Sequence, residues 1–429
     1  MELTIWSFRL IGRLDHFVRK GRFMLNVLPA ASRPSPAPVR PPFERIALAL
    51  QGGGALGAYQ GGVYEALAEA GLHPDWVAGI SIGAINAAII AGNPPEARVA
   101  RLRAFWELLS ARQAPWLAPS PAALAPSALA PSAPDAPPFL KGDLARAWVN
   151  QWSAASAVWS GIPGFFSPRS LSPWLVPDGA PEATSYYDTR PLERTLERLI
   201  DFDRINDGPT RLSIGAVNVR TGDFVYFDRT THRIGARHVM ASGALPPGLP
   251  AVEIDGQHYW DGGLVSNTPL GWMVDAGPPR DTLVFQVDLW SARGPFPRNM
   301  AQVATRQKEI QYSSRTRAES NRFKKLQRFK NQVAELLAKL PPELAASAEA
   351  ARLRPLCERK VGNLIHLIYR AKDYEGDSKD YEFSRRSIEE RWRVGYHDTV
   401  RTLRHPEVLE RPTSPDGVFI FDVDQHGRE

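Results

Sequence analysis

With 429 residues the chain has room for one large α/β domain with appendages, or for two to three domains. Hydrophobic residues make up 43%, an ordinary globular share, and the single cysteine, Cys357, excludes an internal disulfide and suits a reducing compartment. A net charge of +6 permits attraction to anionic lipid or to nucleic acid without choosing between them. No apolar run reaches the roughly 18 residues of a spanning helix, and no Cys/His cluster has zinc spacing, so no metal is expected.

Residues 1–44 read as a basic amphipathic segment and a Pro-rich linker. Leu3, Trp6, Leu10, Leu14 and Phe17 share one helical face, flanked by Arg9, Arg13 and Lys20, which is the pattern of an interfacial helix. The arginines interrupt any signal-peptide core, so the expected location is cytoplasmic, with peripheral contact at the inner membrane face. Met24, ahead of the Pro-rich residues 32–42, is the alternative start to Met1.

Residues 45–50 then form a short apolar run of the buried parallel-strand kind. The next residues, Gln51-Gly52-Gly53-Gly54-Ala55-Leu56-Gly57, strip side chains from a series of backbone N–H groups at a helix start, which makes a cradle for an anion. Residues 61–70 read as helix, with Val63, Leu67 and Ala70 at helical spacing. Residues 76–80 read as a second strand. It runs into Gly79-Ile80-Ser81-Ile82-Gly83, a tight turn of the form that lifts a serine hydroxyl above a sheet, and a small-residue helix follows over 84–91. Gly52, Gly54 and Gly57 also fit a dinucleotide fingerprint. That motif requires an acid closing the second strand, whereas the one nearby acid, Asp75, precedes it.

Residues 111–185 form an insert. Leu-Ala-Pro-Ser recurs at Leu117, Leu124 and Leu129, which predicts a surface loop. Phe139, Trp148, Trp152, Trp159, Phe165, Phe166 and Trp174 follow, readable as a helical subdomain burying its aromatics or as a lid above the serine. Residues 212–219 and 222–227 read as paired strands, 283–288 as a further strand, 364–369 as the last one, and 383–403 as helix. Between them Tyr259-Trp260-Asp261-Gly262-Gly263 offers a carboxylate on a glycine turn. Alone, Asp-Gly is commonly a hairpin turn.

These three ordered motifs resemble the patatin-like phospholipase family, which combines a glycine-rich loop, a Gly-x-Ser-x-Gly elbow and a later Asp-Gly-Gly or Asp-Gly-Ala turn. The resemblance spans about residues 46–275 and includes Ala241-Ser242-Gly243-Ala244-Leu245-Pro246-Pro247 and the run from Tyr259 to Pro269. It implies a three-layer α/β/α fold with a mainly parallel central sheet over 45–275 and a helical C-terminal extension over 276–429 containing some strand. It also implies a lipid acyl hydrolase working through a Ser–Asp dyad, Ser81 and Asp261, without organic cofactor. Gly52, Gly53 and Gly54 would hold the oxyanion, with Gly57, Gly79, Gly83, Gly262 and Gly263 supporting the turns. Leu56 departs from the family's frequent Arg or Lys, so the backbone N–H groups would have to suffice.

A serine hydroxyl is a poor nucleophile until a base takes its proton, and an aspartate near its usual pKa of about 3.9 is a weak base unless burial raises it. Histidine is the competing base. The usual order of serine, acid, then histidine leaves His366, His397 and His405, whereas His232, His238 and His258 precede Asp261. His366 lies in an apolar strand-like run, where a hydrogen-bonded core role is expected; His397 and His405 read as surface positions. The stretch from Arg306 to Lys330 carries nine basic residues against Glu309 and Glu319, and reads as one helix ending at Pro341-Pro342. It is either the solvated face of a packed helix or a patch meeting anionic head groups. No nucleic-acid motif is present, and no feature sets an oligomeric state. A lipid substrate is the expected partner. The reading from a different class is a non-catalytic lipid-surface scaffold with a vestigial site.

Overall fold

The computed structural model describes residues 40–111, 143–276, 280–313, 316–357, 360–414 and 417–422. The helical face expected over residues 3–17 and the Leu-Ala-Pro-Ser repeats lie outside the described residues.

Strand β1 (Arg45–Leu50) alternates Ile46, Leu48 and Leu50 into one core and Ala47 and Ala49 into another, so both of its faces are covered and it reads as a continuous apolar run. Helix α1 (Ala58–Glu69), β2 (Trp76–Ile80), α2 (Ile82–Ala91) and α3 (Pro95–Leu109) follow. Within the insert lie α4 (Asp143–Ser160) and a two-stranded ribbon of β3 (Ser167–Pro168) and β4 (Tyr187–Asp188). The chain continues through α5 (Arg190–Leu199), β5 (Arg211–Asn218), β6 (Phe224–Asp228), α6 (Ala236–Ser242), β7 (Val252–Ile254), β8 (Gln257–Asp261) and α7 (Leu270–Asp275). The last third adds β9 (Thr282–Asp288), α8 (Met300–Ser313), α9 (Thr316–Ala338), β10 (Gly362–Ile368), α10 (Arg385–Leu403) and β11 (Val418–Asp422).

The main sheet runs β11-β10-β9-β1-β2-β5-β8-β7, with β6 also on β5. All pairings from β11 to β5 are parallel, and β6, β8 and β7 are antiparallel. One face packs Leu48, Val77 and Phe285 against Tyr59 and Val63 of α1 and Ile85 and Ile89 of α2. Helix α10 covers α1, joined to it by the Tyr59 hydroxyl donating to Asp398 Oδ2 at 3.0 Å. On the other face Leu270 and Met273 of α7 and Phe323 of α9 cover Ala47, Ala49, Trp76, Ala78, Val284 and Leu364. The three-layer α/β/α architecture follows.

Two expectations need correction. The boundary at 275/276 falls inside one sheet, because β9 pairs with the whole length of β1, from Arg45↔Thr282 to Leu50↔Val287. The C-terminal region therefore completes the sheet instead of appending to it. The strand over 364–369 is not the last, since the short run Val418–Asp422 pairs beyond it as β11. The basic stretch is helical over α8 and α9, and residues 314–315 between them lie outside the described residues. Within it Arg306 bonds Glu309 at 3.0 Å, Lys308 bonds Asp380 at 3.0 Å and Arg322 bonds Asp275 at 2.8 Å. Among the described residues no helix is long and apolar enough to cross a membrane, and no group of three His, Cys, Asp or Glu is placed to hold a metal.

Candidate active site

Sheet register brings a serine and an aspartate together from 180 positions apart. Strand β2 pairs with β5 as far as Ile80↔Gly215 and then leaves the sheet at Ser81. The next rung on β5, Ala216, is taken by Asp261 at the end of the antiparallel β8, which enters the place β2 has vacated. The two side chains meet there, and Ser81 Oγ donates to Asp261 Oδ2 at 2.6 Å.

Ser81 stands at φ 55° and ψ −125°, a conformation that costs a non-glycine residue about 1–3 kcal/mol and must be held by its surroundings. Its N–H donates to Ser242 Oγ at 2.9 Å, whose hydroxyl is anchored in turn on the Gly215 carbonyl at 2.6 Å. Its carbonyl accepts from the Ala84 N–H at 2.9 Å, so Ser81 caps α2 at the positive end of the helix dipole. The flanking glycines are steric requirements. A Cβ on Gly79 would lie 2.2 Å from the Gly83 carbonyl oxygen, and one on Gly83 would lie 2.3 Å from that of Leu50.

The glycine loop lies against this elbow: a Cβ on Gly52 would come within 3.0 Å of Ser81 Cβ. The Gly52 carbonyl accepts from Asn267 Nδ2 and from Trp290 Nε1, both at 3.0 Å. In a trans peptide the N–H opposes the C=O, so these two donors turn the Gly53 N–H to the other side. The Gly53 carbonyl accepts from the Leu56 N–H at 3.1 Å, which fixes the Gly54 N–H in the same manner. Among the described residues neither the Gly53 nor the Gly54 N–H has a protein acceptor. Gly52 departs from its expected role, since its own N–H donates to the Asn267 carbonyl at 3.3 Å. Gly54 sits at φ 54°, with Asp380 O only 2.1 Å from where a Cβ would be, and the Ala55 N–H donates to that same oxygen at 2.7 Å. Gly57 leads into α1, close against Ile82. Leu56 is fully buried in the core, in place of a cation.

Behind the loop, buried Gln51 accepts from the Leu289 and Trp290 N–H groups at 2.7 and 3.0 Å and donates to Thr268 Oγ1 and the Tyr312 carbonyl at 3.1 and 3.2 Å. Ser242, Asn267, Gln51, Trp290 and Asp380 are thus positioning residues that sequence reasoning did not single out. Gln51, Ser242 and Asn267 stand inside the motif segments and could have been found there. Trp290 and Asp380 lie outside them and act on a main-chain carbonyl or through one, which leaves no spacing signal.

Asp261 is 3% exposed. Burial raises its pKa from 3.8 to about 6, against the opposing hydrogen bonds from Ser81 and from the Gly263 N–H, which reaches Oδ1 at 2.7 Å. The Gly262 carbonyl closes the turn by accepting from Val265 and Ser266. The carboxylate is therefore more basic than an ordinary aspartate and still ionised at neutral pH.

Among the described residues no histidine joins this pair. His366 on β10 is buried, with Nε2 3.2 Å from Ser320 Oγ and Nδ1 3.5 Å from Asp288 Oδ2, beside a cavity at the carboxyl ends of β9, β10 and β11. That cluster has the side chains of a Ser–His–Asp relay. Ser320, however, lies within the regular helix α9 and not on a strained turn. His397 is exposed and His405 half-buried, both on the outside of the C-terminal region.

A family model described as patatin-like phospholipase matches residues 48–272, a span that holds the glycine loop, the Ser81 elbow and the Asp261 turn. The chain belongs to the patatin-like phospholipase family. A second model, described as patatin phospholipase, matches residues 310–415, so the family signature extends over the region that supplies Tyr312 and Asp380. Among solved structures, the crystal structure of VipD from Legionella pneumophila is similar at 14% identity and a TM-score of 0.35, over 89% of this chain and 72% of that one. No curated protein matches the chain.

Proposed function

We propose that this patatin-like chain is a serine hydrolase of lipid acyl esters, with Ser81 as nucleophile, Asp261 as base, and the Gly53 and Gly54 N–H groups as oxyanion donors. The observation that carries the reading is the 2.6 Å bond from Ser81 to a buried carboxylate whose pKa is raised to about 6. As Ser81 Oγ forms its bond to the ester carbonyl carbon, its proton passes to Asp261 Oδ2 and the carbonyl oxygen becomes an alkoxide. Each well-placed donor stabilises such an oxyanion by about 3–4 kcal/mol. Collapse breaks the bond to the alkoxy oxygen, which leaves as an alcohol with the proton from Asp261. Water then gives its proton to Asp261 and attacks the acyl-serine, the tetrahedral adduct collapses with return of that proton to Ser81 Oγ, and the fatty acid departs.

The strained elbow and the two unengaged N–H groups are both present before substrate arrives, which is electrostatic preorganisation in structural form. The test is hydrolysis of a short-chain p-nitrophenyl ester. Ser81→Ala should abolish turnover while circular dichroism shows an unchanged fold; undiminished turnover in that variant would overturn the assignment.

A further inference from the structure

The insert beside the site leaves apolar side chains in water along a connected strip. On α4, Trp148, Trp152 and Trp159 recur at i, i+4 and i+11, which places them within about 40° of one another around the helix. They are 57%, 42% and 81% exposed, while Ala154 and Ala157 face the protein. This orientation reverses the usual one for a surface helix, whose apolar stripe turns inward. The strip continues through Trp174 and Leu175, 84% and 76% exposed, with Trp174 Nε1 donating to the Tyr186 hydroxyl at 3.3 Å.

Hydrogen bonds connect it to the catalytic turn. The Tyr187 hydroxyl donates to the Val158 carbonyl at 2.8 Å, and the Tyr186 and Tyr187 N–H groups donate to the Pro247 and Gly248 carbonyls at 3.2 and 3.0 Å. Three residues before Pro247, the Ala244 carbonyl accepts from the Asp261 N–H at 3.0 Å. Basic charge is sparse along this path. Arg169, bonded to Ser185, is the one ionisable side chain between Val158 and Val176, and Arg190 is paired with Asp188; residues 243–252 and 262–274 carry no charge, and the exposed charges beside Trp174 are two acids, Asp178 and Glu182.

We infer that this strip is the surface on which the protein rests at a neutral lipid–water interface, delivering acyl esters to Ser81. The inference builds on the proposed hydrolase activity. Trp and Tyr suit such a boundary because an apolar ring body ends in a polar N–H or O–H. A surface whose exposed charges beside Trp174 are acids takes its attraction from apolar burial, so it neither requires anionic head groups nor weakens as salt rises.

The test uses the full chain and the double variant Trp159→Ala/Trp174→Ala, whose exposed positions leave the fold intact. Both are co-sedimented with phosphatidylcholine vesicles, with and without anionic lipid, at low and high salt. Hydrolysis of vesicle lipid and of a soluble p-nitrophenyl ester is measured alongside. Wild type should bind neutral vesicles with little salt dependence. The double variant should bind at least about tenfold more weakly and lose vesicle hydrolysis by a similar factor, with soluble-ester turnover unchanged. Equal binding by the two proteins, binding that needs anionic lipid and disappears with salt, or wild type that stays off neutral vesicles would overturn the proposal. So would a wild-type dimer that the substitutions dissolve, because the strip would then be covered by a second copy. Trp-dependent binding without turnover of either ester would support the surface and count against the hydrolase reading instead.

Discussion

Replacing Asp261 with Asn should stabilise the protein at neutral pH while removing its activity. Burial holds the Asp261 pKa near 6 in the folded protein, against 3.8 ordinarily. Between those values the folded state keeps a proton that the unfolded chain has released. Stability therefore falls as pH rises through this window and is level above it. At about 1.36 kcal/mol per pH unit, the ionised carboxylate costs the fold about 3 kcal/mol at pH 8. Asparagine mimics the protonated acid, offering an oxygen to the Gly263 N–H and an N–H to Ser81 Oγ. Allowing about 1 kcal/mol for imperfect hydrogen-bond geometry, the variant should gain about 2 kcal/mol at pH 8. Urea unfolding at pH 8 and pH 4 measures this directly: the gain should be present at pH 8 and nearly gone at pH 4. A variant no more stable than wild type at pH 8, or a difference that ignores pH, would refute the assignment of a buried base with a raised pKa.

The same ionisation should govern the rate. For a soluble ester, kcat/KM should rise through a midpoint near pH 6 to a plateau, and the residual activity of Asp261→Asn should lack that limb. Ser320→Ala and His366→Ala should each keep ester hydrolysis within about twofold of wild type; a fall of several orders of magnitude would move the chemistry to the Ser320–His366–Asp288 cluster. Asn267→Ala removes one of the two donors that orient the Gly52 carbonyl, and should lower kcat about tenfold, equivalent to about 1.4 kcal/mol in the barrier, with little change in KM. A change confined to KM would argue that the glycine loop binds substrate without stabilising the oxyanion.

Local chemistry made much of the fold legible in the sequence. The apolar runs at 45–50 and 76–80, both followed by glycine turns, specify buried parallel strands and the elbow, because only such strands avoid polar alternation. What the sequence concealed depends on non-local pairing. That β9 to β11 complete the same sheet follows from the registers Arg45↔Thr282, Thr282↔Gly362 and Gly362↔Val418, pairings between distant residues for which composition holds no signal. The basic stretch was ambiguous for the same reason, since the acids that pair with Lys308 and Arg322 lie at Asp380 and Asp275. In the site, side chains that project from turns announced themselves through glycine spacing. Groups that work by holding a main-chain carbonyl, such as Trp290 on Gly52, or by lending one, such as Asp380 to Ala55, did not.

The central claim is that Ser81 is a nucleophile activated by Asp261. Reaction of the folded protein with a fluorophosphonate, followed by peptide mass spectrometry, reads this directly. The account predicts one adduct, on Ser81, formed at a rate that rises through pH 6 and falls by orders of magnitude in Asp261→Asn. An adduct on Ser320 instead, or no adduct on folded protein, would contradict it.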